Sequence, residues 1–193
     1  MKIILATQNS GKLKEFNALA QGSGLEFIPI ERNGNVIFPE ETGKSFFENA
    51  LIKANYAFSL TGKAAMGDDS GLEVDALRGK LGVHSSRFSK ESTDASNINK
   101  LLKEMEEVKE KNRTARFKCC LVLITNKNNP PLIAEGLLEG KISKEIKGNM
   151  GFGYDPVFIP KGSSLHMAEL ENHQKNLISH RANAFKLLLN QLN

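Results

Sequence analysis

Cysteine is almost absent from this chain of 193 residues: Cys119 and Cys120 are the only two, and they are neighbours. Adjacent residues on a strand point to opposite faces, so the two thiols are expected to pack and not to pair. They also lack the spacing of a zinc site. That argues against a disulfide scaffold and for a reduced, cytoplasmic protein. Long apolar runs are missing as well. None approaches the ~18 residues of a membrane span, and the apolar part of the opening MKIILATQ is too short for a signal peptide. Aromatic residues are 7% of the chain and no basic stripe is interleaved with them, which counts against a surface that stacks on nucleic acid. There is no internal repeat, low-complexity tract or obvious linker.

What remains is an ordinary globular mixture, 40% apolar and 25% charged, long enough for one domain or two tightly joined lobes. The formal net charge of +4 permits an anionic ligand.

KIILA reads as a buried strand and LEFIPI as a second. A helix is expected from Gly11 to Ala20, with Leu13, Phe16, Leu19 and Ala20 on one face. Another is expected from Ser45 to Leu60, opened by the capping box Ser45/Glu48. AAMGDDSGLEVDAL suggests a strand, an acidic turn at Asp68 and Asp69, and another strand. Residues 93–108 read as a helix. ARFKCCLVLIT is the strongest strand, with PLIAEGLLEGKIS returning beside it. GFGYDPVFI reads as a Gly-rich loop feeding a short strand. SHRANAFKLLLNQL is the last helix, with Ser179 a fair N-cap. Strands and helices mix without strict alternation, which favours an α/β fold with a mixed sheet.

Several short motifs carry polar chemistry. TQNSGK sits between a strand and a helix, where backbone N–H groups and the helix N-terminus suit phosphate oxygens. Thr7, Asn9, Ser10 and Lys12 add donors. It is not a Walker loop, since Leu13 follows the lysine and no earlier glycine exists; the plain alternative is a polar turn with a surface lysine. Asp68 and Asp69 are adjacent carboxylates that repel. With Glu40 or Glu41 they would suit a hard divalent cation that keeps waters and ligand phosphates, or else they form an Asx-turn. Lys53 falls about two turns into its helix, where on most helices a lysine is solvated surface. GNMGFGYDP offers close backbone approach and aromatics that can stack on a base, or simply a tight loop. Arg181, at the start of a helix, opposes the dipole, so an anion or acceptor is expected beside it. His84, His166 and His173 have no metal-ligand spacing.

Five blocks in order, ATQNSGKLKEF, ETGKSFFENALIKA, DDSGLEVDALRGKLGVHSSRF, GFGYDPVF and AELENHQKNLISHRANA, resemble the inosine triphosphate pyrophosphatase family, which hydrolyses deaminated purine nucleoside triphosphates (dITP, ITP, XTP). The resemblance implies a long curved mixed sheet with flanking helices, forming two lobes with the site in a cleft between them, and a homodimer. It implies a phosphate loop at Thr7, Gln8, Asn9, Ser10, Gly11 and Lys12, with Lys53 near the phosphates. Mg²⁺ would be held by Glu40 and Asp69, Asp69 also accepting a proton. Ser70 would contact substrate. Phe152, Gly153, Tyr154 and Asp155 would form the base loop, with Lys175, His180 and Arg181 as late contacts.

Leu81 and Ser86 depart from the family pattern, which commonly has proline and alanine there, in a loop beside the acidic motif. Rival functions are a kinase-like nucleotide binder, a basic nucleic-acid binder and the septum-inhibitor-type pyrophosphatases acting on dTTP and UTP. The first lacks its loop, the second its aromatics and the third its motifs.

Overall fold

Three consecutive buried residues make Lys2–Leu5 a strand covered on both faces (β1), as parallel strands generally are. In this computed structural model, which describes residues 1–30 and 38–192, β1 pairs in parallel with β2 (Glu26–Pro29) on one side and β3 (Ala65–Val74) on the other. Helix α1 (Ser10–Leu19) begins at Asn9, whose Oδ1 accepts from the N–H groups of Gly11 and Lys12 at 2.8 and 3.2 Å. Helix α2 (Phe46–Thr61) begins at Ser45, whose hydroxyl accepts from the Glu48 N–H. The expected reciprocal bond is displaced: the Glu48 carboxylate accepts from the N–H of Lys44 and not of Ser45.

Strands β4 (Thr114–Ile124), β5 (Leu132–Ile142) and β6 (Phe158–Pro160) complete a six-stranded sheet in the order β2-β1-β3-β4-β5-β6. Since β5 and β6 are antiparallel, the sheet is mixed, as expected. Helix α3 runs Asp94–Glu104, α4 Asn172–Ile178 and α5 His180–Leu192. No described helix is long and apolar enough to cross a membrane.

One expectation fails. Residues 65–74 form a single ten-residue strand, nearly all of it buried, with no turn at Asp68 and Asp69. Turn-forming residues lose to tertiary pairing here, because each carboxylate has its own cations, as described below. Gly67 is required by close packing: a Cβ there would stand 1.9 Å from the Ala50 carbonyl oxygen in α2.

The chain divides into two compact units. The first comprises residues 1–69, 119–136 and 181–193. On one face of its sheet Met66, Cys119, Leu121 and Leu123 pack with Phe16 of α1 and with Phe185 and Leu188 of α5. On the other, Cys120, Val122 and Ile124 pack with Ala50 and Ala54 of α2. The two cysteines thus do face opposite sides. The second unit comprises residues 70–118 and 137–180. Its core joins Leu72, Val74, Phe117, Ile142, Tyr154 and Phe158 to Ile98 and Leu101 of α3.

Candidate functional site

The first unit holds most of the charged candidates, sorted by the two-residue period of β3. Asp68 shares a face with Met66, towards α1 and α5. Its Oδ2 lies 2.9 Å from Lys12 Nζ and 3.4 Å from Arg181 Nε, and its Oδ1 accepts from the Cys119 thiol at 3.3 Å. The Arg181 Nη1 pairs with Glu15 of α1. Asp68 and Arg181 are both buried. Burial alone would push the Asp68 carboxyl up, but Lys12 and Arg181 outweigh it and hold it well below the usual range. The acidic neighbours expected beside Arg181 are therefore present as two carboxylates of the protein.

Asp69 points the opposite way, to α2. Its Oδ1 accepts from Lys53 Nζ at 2.7 Å and its Oδ2 from Asn49 Nδ2 at 3.2 Å. Asn49 is itself oriented by accepting from the Gly43 N–H at 2.8 Å. Lys53 also reaches Glu41 Oε1 at 2.7 Å, so a single ammonium bridges two carboxylates. Burial pushes the Asp69 carboxyl up despite Lys53. Burial opposes the Lys53 charge, yet Asp69 and Glu41 raise its affinity for the proton overall.

In the N-terminal loop, Thr7 Oγ1 accepts from the Asn9 N–H at 3.1 Å. The N–H groups of Gly11 and Lys12 are already bonded to the Asn9 cap. A phosphate could reach those two amides only by replacing the cap. Gln8, Asn9 and Ser10 are exposed and Lys12 is half-buried.

The second unit holds the Gly-rich loop. Lys175 of α4 and Asp155, both buried, pair at 2.7 Å. Asp155 also accepts from the Phe152 N–H at 3.0 Å, and the Lys175 ammonium stands over the Phe152 ring, 4.9 Å from its centroid. Gly151, at φ +80°, makes this possible: a Cβ there would lie 2.1 Å from Asp155 Oδ2. The Gly153 N–H donates to Asp94 at 2.7 Å. Tyr154 belongs to the core, its hydroxyl donating to the Ser85 carbonyl at 2.7 Å, so it anchors the loop. His180 stacks on Phe117 with centroids 4.9 Å apart. Ser70, half-buried, follows Asp69 on β3.

Glu40 is exposed, and among the described residues the carboxylate that Lys53 joins to Asp69 is that of Glu41. No group of three or more His, Cys, Asp and Glu side chains among the described residues is placed to hold a metal. A hard divalent cation can take one or two carboxylates and complete its shell with water and phosphate; of the expected pair, Asp69 is buried and Glu40 exposed. Asn49, Glu15 and Cys119 were not singled out from the sequence. Asn49 had a signal: a polar residue one turn before Lys53 on the apolar stripe of α2.

The family model of the Ham1 family matches residues 3–191. The dITP/XTP pyrophosphatase of Thioalkalivibrio sulfidiphilus is 45% identical, covering 100% of this chain and 98% of its own. That of Methylococcus capsulatus is 46% identical, covering 99% and 96%. Among solved structures, a HAM1 protein from Coxiella burnetii superposes with a TM-score of 0.88 at 44% identity, over 100% of this chain and 98% of that one. The Ham1 protein of Staphylococcus aureus gives 0.84 at 35%, over 100% and 98%. With a match along nearly its whole length and the same fold, the chain belongs to the Ham1 family.

Proposed function

We propose that this protein is a nucleoside triphosphate pyrophosphatase that hydrolyses deaminated purine nucleoside triphosphates, dITP, XTP and ITP, to the monophosphate and pyrophosphate. The observation that carries the reading is the buried Asp69, held by Lys53 and Asn49 beside Glu41. This is a fixed carboxylate with a raised proton affinity, suited to taking a proton from water. The likeness to relatives named as dITP/XTP pyrophosphatases supports the substrate class.

In the proposed reaction, water attacks the phosphorus at the α–β linkage as Asp69 accepts its proton, and the anhydride bond breaks to release pyrophosphate. Lys12 and Lys53 hold the phosphates, with the Thr7 and Ser10 hydroxyls, and oppose the charge that develops on the leaving group. Mg²⁺, bound by Asp69 and Glu40 with Glu41 adjacent, would neutralise phosphate charge.

Base choice follows from donors. Deamination replaces the 6-amino donor of adenine with a 6-oxo acceptor. Lys175, aimed by Asp155 over Phe152, and Arg181, aimed by Glu15 and Asp68, are donors, as is His180 through a ring N–H. A donor of this kind gains a hydrogen bond from a 6-oxo group and none from a 6-amino group, a difference of ~1–3 kcal/mol. The protein is further proposed to act as a cytoplasmic homodimer, which sedimentation at micromolar concentration would check.

The test is pyrophosphate release from dITP, ITP, XTP, GTP, ATP and dTTP, with and without Mg²⁺. Faster release from dITP, ITP and XTP than from ATP, and only with Mg²⁺, is expected. Equal turnover of ATP, or release of orthophosphate, would sink the reading.

A further inference from the structure

The Gly-rich loop and helix α3 belong to the same compact unit, and the Gly153 N–H of the loop donates to Asp94 Oδ2 in the first turn of α3 at 2.7 Å. Gly153 stands at φ +61°, and a Cβ there would meet nothing within 4 Å. Glycine is needed here for conformation, then, and not for room. Because glycine takes either sign of φ about equally well, the residue itself does not choose, and the peptide joining Phe152 to Gly153 could turn over at little local cost. The carbonyl of that peptide accepts from the Asp155 N–H at 3.4 Å, beyond the usual range for such a bond. Its N–H meets the Asp94 carboxylate at 2.7 Å, and a charge-assisted bond is roughly twice as strong as a neutral one. Asp94 is the stronger of these two holds.

Asp94 is itself well placed. Reciprocal bonds between Thr93 and Ser96 fix the start of α3. Buried Asn97, three residues on, accepts from the Ser89 N–H at 2.7 Å and donates to the Ser86 carbonyl at 3.0 Å, beside the Ser85 carbonyl that receives the Tyr154 hydroxyl. The first turn of α3 thus supports residues 153 and 154 by two routes.

We propose that Asp94 is a positioning residue for base choice: it holds the Phe152–Gly153 peptide in the orientation that keeps the Phe152 ring beneath the Lys175 ammonium. This rests on the reading of residues 152–155 and Lys175 as the base site. The plain alternative is that Asp94 serves only its own helix, where an acid in the first turn suits the dipole. Two substitutions separate them. Asp94→Asn drops the charge and keeps an acceptor; Asp94→Ala drops both.

Both variants should show a similar small fall in Tm. Water reaches Asp94, which is exposed, so the kinetic effect should be modest. Asp94→Ala should raise KM for dITP by about 3–10-fold, the equivalent of an ordinary hydrogen bond, and lower the dITP:dATP ratio of kcat/KM, with dITP kcat within about twofold of the parent. Asp94→Asn should stay within about twofold on all three. Hydrogen exchange of the Gly153 amide, read by NMR on the free enzyme, should quicken by about 3–10-fold in the Ala variant and less in the Asn variant. A parent-like KM and ratio in Asp94→Ala, equal shifts in both variants, or an unchanged Gly153 exchange rate would each overturn the inference. If the parent enzyme did not prefer dITP to dATP, the functional proposal would fail instead, and the exchange rates would still report whether Asp94 holds the loop.

Discussion

Replacing Arg181 by alanine tests two arguments at once. Its side chain is 2% exposed and joins Glu15 to Asp68. Removing one partner of a buried ion pair costs ~3–5 kcal/mol, because the other charge stays buried and uncompensated. The local arrangement favours the lower end. Asp68 keeps Lys12 at 2.9 Å, and the Glu15 side chain is 16% exposed and can turn to water. A loss of ~3 kcal/mol in a chain of this size lowers Tm by roughly 6–12 °C. The dipole cost of a cation in the first turn of α5, a few tenths of a kcal/mol, is regained but is too small to offset this. Differential scanning calorimetry reads the shift, and an unchanged Tm would refute the ion-pair argument. The second measurement is kcat/KM for dITP and dATP. If the guanidinium reads the 6-oxo group, dITP turnover falls ~10–200-fold, the kinetic equivalent of a charged hydrogen bond, while dATP loses far less. Arg181→Lys should recover only part, since an ammonium does not reproduce the planar fork. Equal losses on both nucleotides would withdraw the base-reading role and leave Arg181 as an anchor for Asp68.

Asp69→Asn should lower kcat by ~10²–10⁴-fold, the usual worth of a general base, with Tm little changed, whereas Asp68→Asn should act mainly on KM; equal kcat losses in the two would show that their roles are misassigned. Lys53→Ala leaves Asp69 and Glu41 without their shared ammonium, so Mg²⁺ should raise the Tm of this variant more than that of the parent; an identical Mg²⁺ response in both would place the metal elsewhere. Gly151→Ala puts a Cβ 2.1 Å from Asp155 Oδ2 and a side chain at φ +80°, a conformation costing ~1–2 kcal/mol. It should displace the Asp155–Lys175 pair, raise KM for dITP and narrow the dITP:dATP ratio, measured by pyrophosphate release, and parent-like selectivity would rule the pair out as a base reader.

The elements legible in the sequence were those with length and rhythm. Phe46–Thr61 repeats its apolar residues at helical spacing behind a serine cap, and Thr114–Ile124 is a long β-branched and apolar run. Both appear within a residue or so of expectation. Helix α4 was not visible. It is seven residues long, with one buried side chain, Lys175, and is opened by reciprocal bonds between Glu171 and Gln174, neither of which makes an apolar stripe. That short helix nonetheless carries the lysine that reaches Asp155. Cys119 was equally opaque: nothing in its sequence context distinguishes a thiol that packs from one that also donates to a carboxylate 51 residues away.

The adjacent aspartates show why a local rule misled and what replaced it. On a turn, two neighbouring carboxylates share one patch of solvent and repel, which made a turn at residues 68–69 look natural. On a strand they part, because successive side chains leave by opposite faces. Each then answers to its own helices. Asp68 meets Lys12, which follows the α1 cap, and Arg181, in the first turn of α5; Asp69 meets Asn49 and Lys53, one turn apart on α2. At Asp68, Lys12 and Arg181 outweigh burial and hold the carboxyl low, while at Asp69 burial wins over Lys53, which is shared with Glu41, and the carboxyl is pushed up. Pairs of acids driven apart in this way divide their labour. In the proposed reaction the acid held low is a fixed anion that orients cations, and the one pushed up takes the proton. The division needs no difference in residue type, only the alternation of a strand and the unequal charge of the helices on its two sides.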